Sequence, residues 1–373
     1  MRVVIGGAGV GGLEAAAALR RYAADRVSVT LVAPDQAFRL RALQPMAAFG
    51  IKPPEDVPLR AIADRLGAEL VEDRVGWVDR PQRTVQCRSG IALGYDALLL
   101  AVGATLHVRF PKALTLHEDA APGLSQLVCD ITSADVRRVA FLAPERMAWP
   151  LPLYETALMT AALGHEHRLR LKLTLVTGET APLQAFGDHV GAEMRALLDE
   201  HGIDLVTSAR CRVPAADRVI LRTAHAGAAE QLAVDRVVAL PELIGPRIRG
   251  LPSDRYGFIP TDHMCRVPGT VDIYAAGDGT DFPVKHGGIA AQQAEVAARR
   301  IAATVGADVQ PRPFHPTLSG MLLTGGRPRY LAARLIGGHP FGSSVATTPF
   351  AIGETPPKVL APHLAALLSE FAR

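Results

Sequence analysis

Arg2-Val3-Val4-Ile5-Gly6-Gly7-Ala8-Gly9-Val10-Gly11-Gly12-Leu13-Glu14-Ala15-Ala16-Ala17 opens the chain, and its reading decides the rest. Arg2 to Ile5 is a short β-branched run that predicts a buried strand, and Leu13 to Arg21 is an alanine-rich stretch that predicts a helix. Gly7, Gly9 and Gly12 complete a G-x-G-x-x-G spacing between the two. There Gly7 permits a tight turn, Gly9 lets a diphosphate approach the backbone, and Gly12 lets helix and strand pack closely. The free N–H groups and positive end of the helix would face the phosphates. A turn that is glycine-rich only because packing is tight is the alternative, and the strand and helix on either side weigh against it.

Val27 to Val32 supplies the next strand. A dinucleotide fold usually ends that strand with Asp or Glu to hold a ribose hydroxyl, but this chain has Ala33-Pro34, with Asp35 just beyond. Asp35 either reaches the ribose by a different backbone path or is an ordinary loop residue. Near the other end, Ala275-Ala276-Gly277-Asp278-Gly279 suggests that the chain returns to finish the same site.

Composition narrows the class. With 373 residues the chain can build two or three domains with cores of their own. Its 40 Lys+Arg against 37 Asp+Glu leave +3, with no basic run, so nothing points to nucleic acid. No apolar stretch reaches the length of a membrane span, and a fold that begins at Arg2 leaves no room for a signal peptide. The expectation is a cytoplasmic protein. Cys87, Cys129, Cys211 and Cys265 form no C-x-x-C or C-x-x-x-x-C pair, which removes the dithiol mechanism of a disulfide reductase. His165-Glu166-His167 has the wrong spacing for ligands on one helix face, so no metal is expected. There is also no G-x-S-x-G nucleophile elbow.

The opening motif, the segment Tyr95-Asp96-Ala97-Leu98-Leu99-Leu100-Ala101-Val102-Gly103-Ala104, and Ile273-Tyr274-Ala275-Ala276-Gly277-Asp278 occur in that order. Together they resemble the flavoproteins with two dinucleotide-binding domains, the pyridine nucleotide-disulfide oxidoreductase superfamily, most closely sulfide:quinone oxidoreductases and type II NADH dehydrogenases. The resemblance covers almost the whole chain. It implies an α/β protein in which an FAD-binding Rossmann-like domain holds an inserted second Rossmann-like domain, followed by a small C-terminal α+β domain. The implied boundaries are 1–112 and 248–311 for the FAD-binding domain, 113–247 for the inserted NAD(P)-type domain, and 312–373 for a C-terminal interface domain.

The same resemblance assigns the site. FAD would lie on Gly7, Gly9, Gly11, Gly12, Ala101 and Gly103, with Asp278 meeting its sugar-alcohol chain beside Gly277. A carboxylate can accept hydrogen bonds from such hydroxyls, and glycine neighbours allow close approach. Asp35 and Arg41 are candidates for the adenosine or diphosphate end, although Arg39 and Arg41 also read as plain surface residues. Lys285-His286-Gly287 runs into a helix predicted over Ile289 to Ala303. That helix start would stabilise negative charge on the flavin, and Lys285, as the catalytic candidate, would add a full positive charge. Exposure to solvent is the alternative for Lys285.

The electron donor is harder to read. Arg137 to Leu142 predicts a strand and Leu151 to Leu163 a helix, yet the intervening Ala143 to Pro150 contains no glycine. Side chains there would fill the space of a diphosphate and Glu145 would repel it, which disfavours conventional NAD(P)H binding. Sulfide:quinone oxidoreductases place a reactive cysteine in that region and another toward the C-terminus. This chain has Met147, Ala148 and Trp149, and no cysteine after Cys265. Sulfide oxidation through a cysteine-bound polysulfide is therefore not expected. Trp149 either walls the flavin cavity or packs under the turn.

In the quinone-reducing relatives that the chain resembles this region forms apolar surface near the flavin, and that resemblance makes Met321, Leu322, Leu323, Phe341, Phe350 and Ile352 candidates to line a quinone channel or a homodimer interface. Val359 to Phe371 predicts an apolar-faced helix for a membrane surface, a partner or the core, and the lack of a basic face favours partner or core. The leading expectation is an FAD-dependent oxidoreductase passing two electrons from a small-molecule donor to a quinone or other small acceptor. An NAD(P)H:acceptor reductase and a non-catalytic flavin-binding or sensing protein are the alternatives.

Overall fold

The computed structural model describes residues 1–147, 149–223, 229–336, 339–348 and 358–371. In chain order the elements that position the site are β1 (Arg2–Gly6), α1 (Val10–Ala23), β2 (Ser28–Val32), β3 (Glu69–Val71), β4 (Ala97–Leu100) and β5 (Leu114–Thr115). Next come α2 (Ala121–Thr132), β6 (Arg138–Leu142), α3 (Leu151–Glu166), β7 (Lys172–Val176), α4 (Asp188–Glu200), β8 (Ile203–Val206) and β9 (Arg236–Ala239). After these follow β10 (Ile273–Ala275), α5 (Gly287–Thr304), β11 (Thr317–Leu322), β12 (Arg329–Ile336), β13 (His339–Ala346) and α6 (Pro362–Leu368).

Two five-stranded sheets dominate. The first has the order β10-β4-β1-β2-β3 and the second β5-β9-β6-β7-β8, and every pairing in both is parallel. A parallel sheet is covered on both faces, so its central strands must be apolar throughout. In β1, Val3 and Ile5 enter the core under α1 and α5, while Val4 joins a second core with Leu98, Leu100 and Val85. In β6, Val139 and Phe141 meet the helix-side core, and Ala140 and Leu142 the opposite one. The same period-two division in both sheets is why each strand reads as an unbroken apolar run.

The opposite faces are covered in the same way too. A three-stranded antiparallel meander of Val75–Asp79, Thr84–Cys87 and Ala92–Gly94 belongs to the first unit, and one of Ala209–Ala215, Arg218–Thr223 and Glu230–Ala233 to the second. Near the C-terminus, β11, β12 and β13 form an antiparallel sheet whose Leu318, Leu322, Leu331 and Ala333 join the core of the second unit. Val359, Ala361, Leu364 and Leu367 instead join the core of the first. The final helix is shorter than Val359 to Phe371, because Pro362 sits in its first turn. Its apolar face is spent on core packing. Among the described residues no helix is long and apolar enough to cross a membrane.

Candidate functional site

Parallel sheets of this kind bind ligands at the carboxyl ends of their strands. In the first sheet those ends carry Gly6-Gly7, Val32-Ala33, Leu100-Ala101 and Ala275-Ala276, stitched by Gly7 N–H to Val32 O (2.7 Å), Ala101 N–H to Gly6 O (2.7 Å) and Ala276 N–H to Leu100 O (3.0 Å). The early and late glycine motifs thus share one edge. Helix α5 joins them from below: a Cβ on Gly11 would lie 3.5 Å from the Ala290 Cβ, and one on Gly277 would lie 3.0 Å from that atom. Gln293 of the same helix accepts from Gly277 N–H at 2.7 Å.

Each glycine of the first turn has a distinct task. Gly7 adopts φ +100°, and a Cβ there would come within 2.2 Å of the Ala101 carbonyl oxygen. A Cβ on Gly12 would lie 1.9 Å from the Gly7 carbonyl oxygen, so this position closes the helix onto the strand. Gly9 is different: nothing lies within 4 Å of where its Cβ would be. Gly103 also faces open space, at φ +72°. An open face in front of Gly9, backed by the start of α1, is the space a diphosphate needs.

The polar candidates surround this cradle. Asp278 is half-buried and makes no hydrogen bond among the described residues. Loss of solvation pushes its carboxyl upward, opposed by the Lys285 and Arg41 cations. Arg41 lies 2.5 Å from Glu118 and 3.7 Å from Asp35 and is 64% exposed, so Asp35 and Arg41 stand together at the rim. Arg39 is drawn away into a pair with Asp56 at 2.8 Å. Lys285 is 8% exposed, donates to the Thr280 carbonyl and stands 4.0 Å over the Phe258 ring. Burial draws its ammonium down to about 8, against the pull of Asp278, Asp281 and Asp254. It is a buried cation rather than a solvent-facing loop residue.

His286 caps α5. Its Nδ1 accepts from Gly288 N–H at 3.1 Å, and its carbonyl accepts from Ile289 and Ala290 N–H. Burial, and secondarily the Lys358 ammonium, pull the imidazole down to about 4, so the ring is neutral at neutral pH. A strap from the C-terminal segment crosses the same helix end: a Cβ on Gly287 would lie 2.6 Å from Val359 Cγ1. The strap is fixed at both sides. Lys358 donates to Glu155 of α3 and to Met321 O (2.6 Å), and Glu14 of α1 accepts from His363 and Leu364 N–H at 3.2 and 2.7 Å. Glu14, Glu155, Gln293 and Lys358 are the functional neighbours that sequence reasoning missed. Only the sequence positions of Glu14 and Gln293 within apolar helix faces offered a signal.

The second unit repeats the backbone but not the cradle. Ala143 N–H donates to Val176 O at 2.9 Å and Leu240 N–H to Leu142 O at 3.0 Å, the bonds made by Gly7 and Ala101 in the first unit. Ala143 therefore stands in the place of Gly7, and Glu145 in that of Gly9. Glu145 is 3.4 Å from Arg210, and Arg146 pairs with the buried Glu242 and lies 4.5 Å over the Tyr256 ring. Glu179, three residues beyond β7 as Asp35 is beyond β2, turns inward. It accepts from Tyr154 Oη (3.1 Å), Thr177 Oγ1 (3.1 Å) and Gln184 N–H (2.9 Å). Polar groups that would greet a dinucleotide are thus matched to each other.

Trp149 joins the two units. Its ring lies 4.5 Å from that of His286 and 5.6 Å from that of Phe186, so it both packs and borders the α5 cap. The thiols form no disulfide pair, and Cys87, Cys211 and Cys265 are poorly suited to redox chemistry. All four are free, and burial pushes Cys87, Cys211 (to about 12) and Cys265 upward. Among the described residues no cluster of His, Cys, Asp or Glu is placed to hold a metal. Leu322 is buried, Met321 and Leu323 half-buried, and Phe341 is 65% exposed. Ala148, Phe350 and Ile352 lie outside the described residues.

Residues 154–300 match the family described as pyridine nucleotide-disulphide oxidoreductase. The sulfide-quinone reductase of Aquifex aeolicus (strain VF5) is 26% identical over 275 residues, 68% of this chain and 61% of that relative. The chain thus spans less than two thirds of the length of this curated relative. Among solved structures, the sulfide:quinone oxidoreductase of Aquifex aeolicus superposes with a TM-score of 0.79 at 19% identity, covering 99% of this chain and 90% of that one. NDH2 from Plasmodium falciparum, solved in complex with NADH, gives 0.72 at 13% identity, covering 92% and 91%.

Proposed function

We propose that the chain, which resembles sulfide:quinone oxidoreductases and NDH2 and matches the pyridine nucleotide-disulphide oxidoreductase family over residues 154–300, is an FAD-dependent oxidoreductase of that superfamily without a working NAD(P)H site. The observation that carries the reading is the open face before Gly9, set on one sheet edge with an Asp278 carboxylate that has no hydrogen-bond partner among the described residues. The residues fit the cofactor. Gly7, Gly9, Gly11 and Gly12 would take the diphosphate, Asp35 and Arg41 the adenosine end, Asp278 with Gly277 the sugar-alcohol chain, and Ala101, Gly103 and Lys285-His286-Gly287 the ring system.

FAD, when bound, supplies the two-electron chemistry between a small-molecule donor and a quinone or other small acceptor. The chain's own residues set its surroundings. Lys285, held by Thr280 and Phe258 and itself buried, acts as a positive charge on Asp278, and a buried charge acts more strongly than one in solvent. Gly287 N–H has no acceptor among the described residues and remains available to a ligand carbonyl at the positive end of α5. The matched pairs of the second unit, Glu179 with Tyr154 and Arg146 with Glu242, argue against NADH or NADPH as the donor. The test is to reconstitute purified protein with FAD and mix it anaerobically with each nicotinamide. A flavin band that persists supports the reading, and rapid bleaching assigns an NAD(P)H:acceptor reductase instead.

A further inference from the structure

The turn that replaces the second glycine loop carries the bulkiest side chain of the region to the capped start of α5 in the other unit. We propose that Trp149 and His286 are a positioning pair, in which the indole holds the imidazole in the rotamer that caps α5 and so fixes the segment Lys285–Gly287 for FAD. The inference rests on the FAD reading for its consequence, but the pair itself stands on geometry.

Trp149 and His286 rings are 4.5 Å apart at 36°, a tilted aromatic contact. Phe186 backs the indole at 5.6 Å, and a Cβ on Gly320 would lie 3.8 Å from its Cζ2, so the indole is wedged from behind. His286 Nδ1 accepts from Gly288 N–H, and the His286 carbonyl takes the N–H groups of Ile289 and Ala290. Of the first four N–H groups of α5, only Gly287 is left without an acceptor among the described residues. Histidine is not among the favoured N-cap residues, because its ring must be held to keep one nitrogen aimed at the backbone. The charged group acting on this ring is Lys358 from the strap, paired with Glu155 on α3, while the ammonium of Lys285, next in sequence, is turned to the Thr280 carbonyl and the Phe258 ring. A neutral imidazole fits beside the Lys358 ammonium, and it keeps its lone pair for Gly288.

Four variants test the proposal: Trp149→Leu, Trp149→Phe, His286→Leu and His286→Asn. The first readout is amide exchange at Gly288 in the apo protein, expected to speed up by about tenfold or more in Trp149→Leu and His286→Leu as the cap opens. The second is the FAD dissociation constant by titration, expected to rise by about tenfold in the same two variants. Trp149→Phe keeps a ring against the imidazole, and His286→Asn keeps a capping acceptor; both are expected within about threefold of the parent. Unchanged Gly288 exchange in Trp149→Leu overturns the proposal, as does an Asn variant that binds FAD as weakly as the Leu variant. Should Trp149→Leu not fold, the two His286 variants decide by the same criterion. A parent protein that binds no FAD refutes the cofactor reading, while the exchange data still judge the pair.

Discussion

Gly9 and Gly12 sit three residues apart in one motif, yet replacing each with alanine is expected to fail in opposite ways. At Gly12 the new Cβ would be 1.9 Å from the Gly7 carbonyl oxygen, a backbone atom that cannot rotate away. Relief requires α1 to move off β1, which opens the core around Leu13, Ala16 and Ile5. A shift of that kind is expected to cost roughly 1–3 kcal/mol or more, the range for overpacking a filled site. Gly9 has φ −79° and ψ −167°, which alanine adopts without strain, and no neighbour within 4 Å. Gly9→Ala is expected to leave the apo protein unchanged or to stabilise it by about 0.4–1 kcal/mol, through the unfolded chain. If a diphosphate approaches at Gly9, the methyl meets it, and FAD affinity is expected to fall by about tenfold or more, roughly 1.4 kcal/mol. Thermal denaturation of the apo forms and FAD titration separate the two effects. Gly9→Ala that binds FAD within about threefold of the parent refutes the assignment of that space to the diphosphate.

Asp278→Asn is expected to stabilise the apo protein and weaken FAD binding. The folded carboxyl is pushed up by burial, so stability falls as pH rises from the unfolded value through the folded one, and the amide removes that loss; a melting series over pH reads it. His286 carries the opposite sign: its folded value of about 4 lies below the ordinary imidazole value of 6.5, so stability is lost as pH drops from 6.5 toward 4. His286→Asn is expected to flatten the melting curve over that window. Lys358→Met leaves Glu155 buried and unpaired and is expected to cost about 3–5 kcal/mol in denaturant unfolding, while Glu155→Met with Lys358→Met together is expected near neutral. A double variant no more stable than the single would remove the ion pair as the cause.

The sequence was most legible where one residue type answers a backbone need. Gly7 and Gly12 read correctly because φ +100° and a 1.9 Å approach leave no other choice. The strands were legible because a parallel sheet buried on both faces demands apolar residues at every position, as in Ala97–Leu100. The helix ends were less so. Helix α1 runs from Val10 to Ala23 rather than from Leu13 to Arg21, because the glycines at its start are tolerated once Gly11 packs on α5 and Gly12 on the Gly7 carbonyl. The links between distant segments had no local signature. Glu155 and Lys358, or Glu14 and the amides of His363 and Leu364, meet only after three elements have packed. Trp149 was read as either wall or packing, and its contact with His286 spans the two units, which no spacing rule reaches.

The most direct test is the visible spectrum of the purified chain after incubation with FAD and removal of the excess. The account predicts a bound flavin that Asp278→Asn and Gly9→Ala retain more weakly while their apo forms stay folded. A folded parent protein that emerges without flavin absorbance contradicts it.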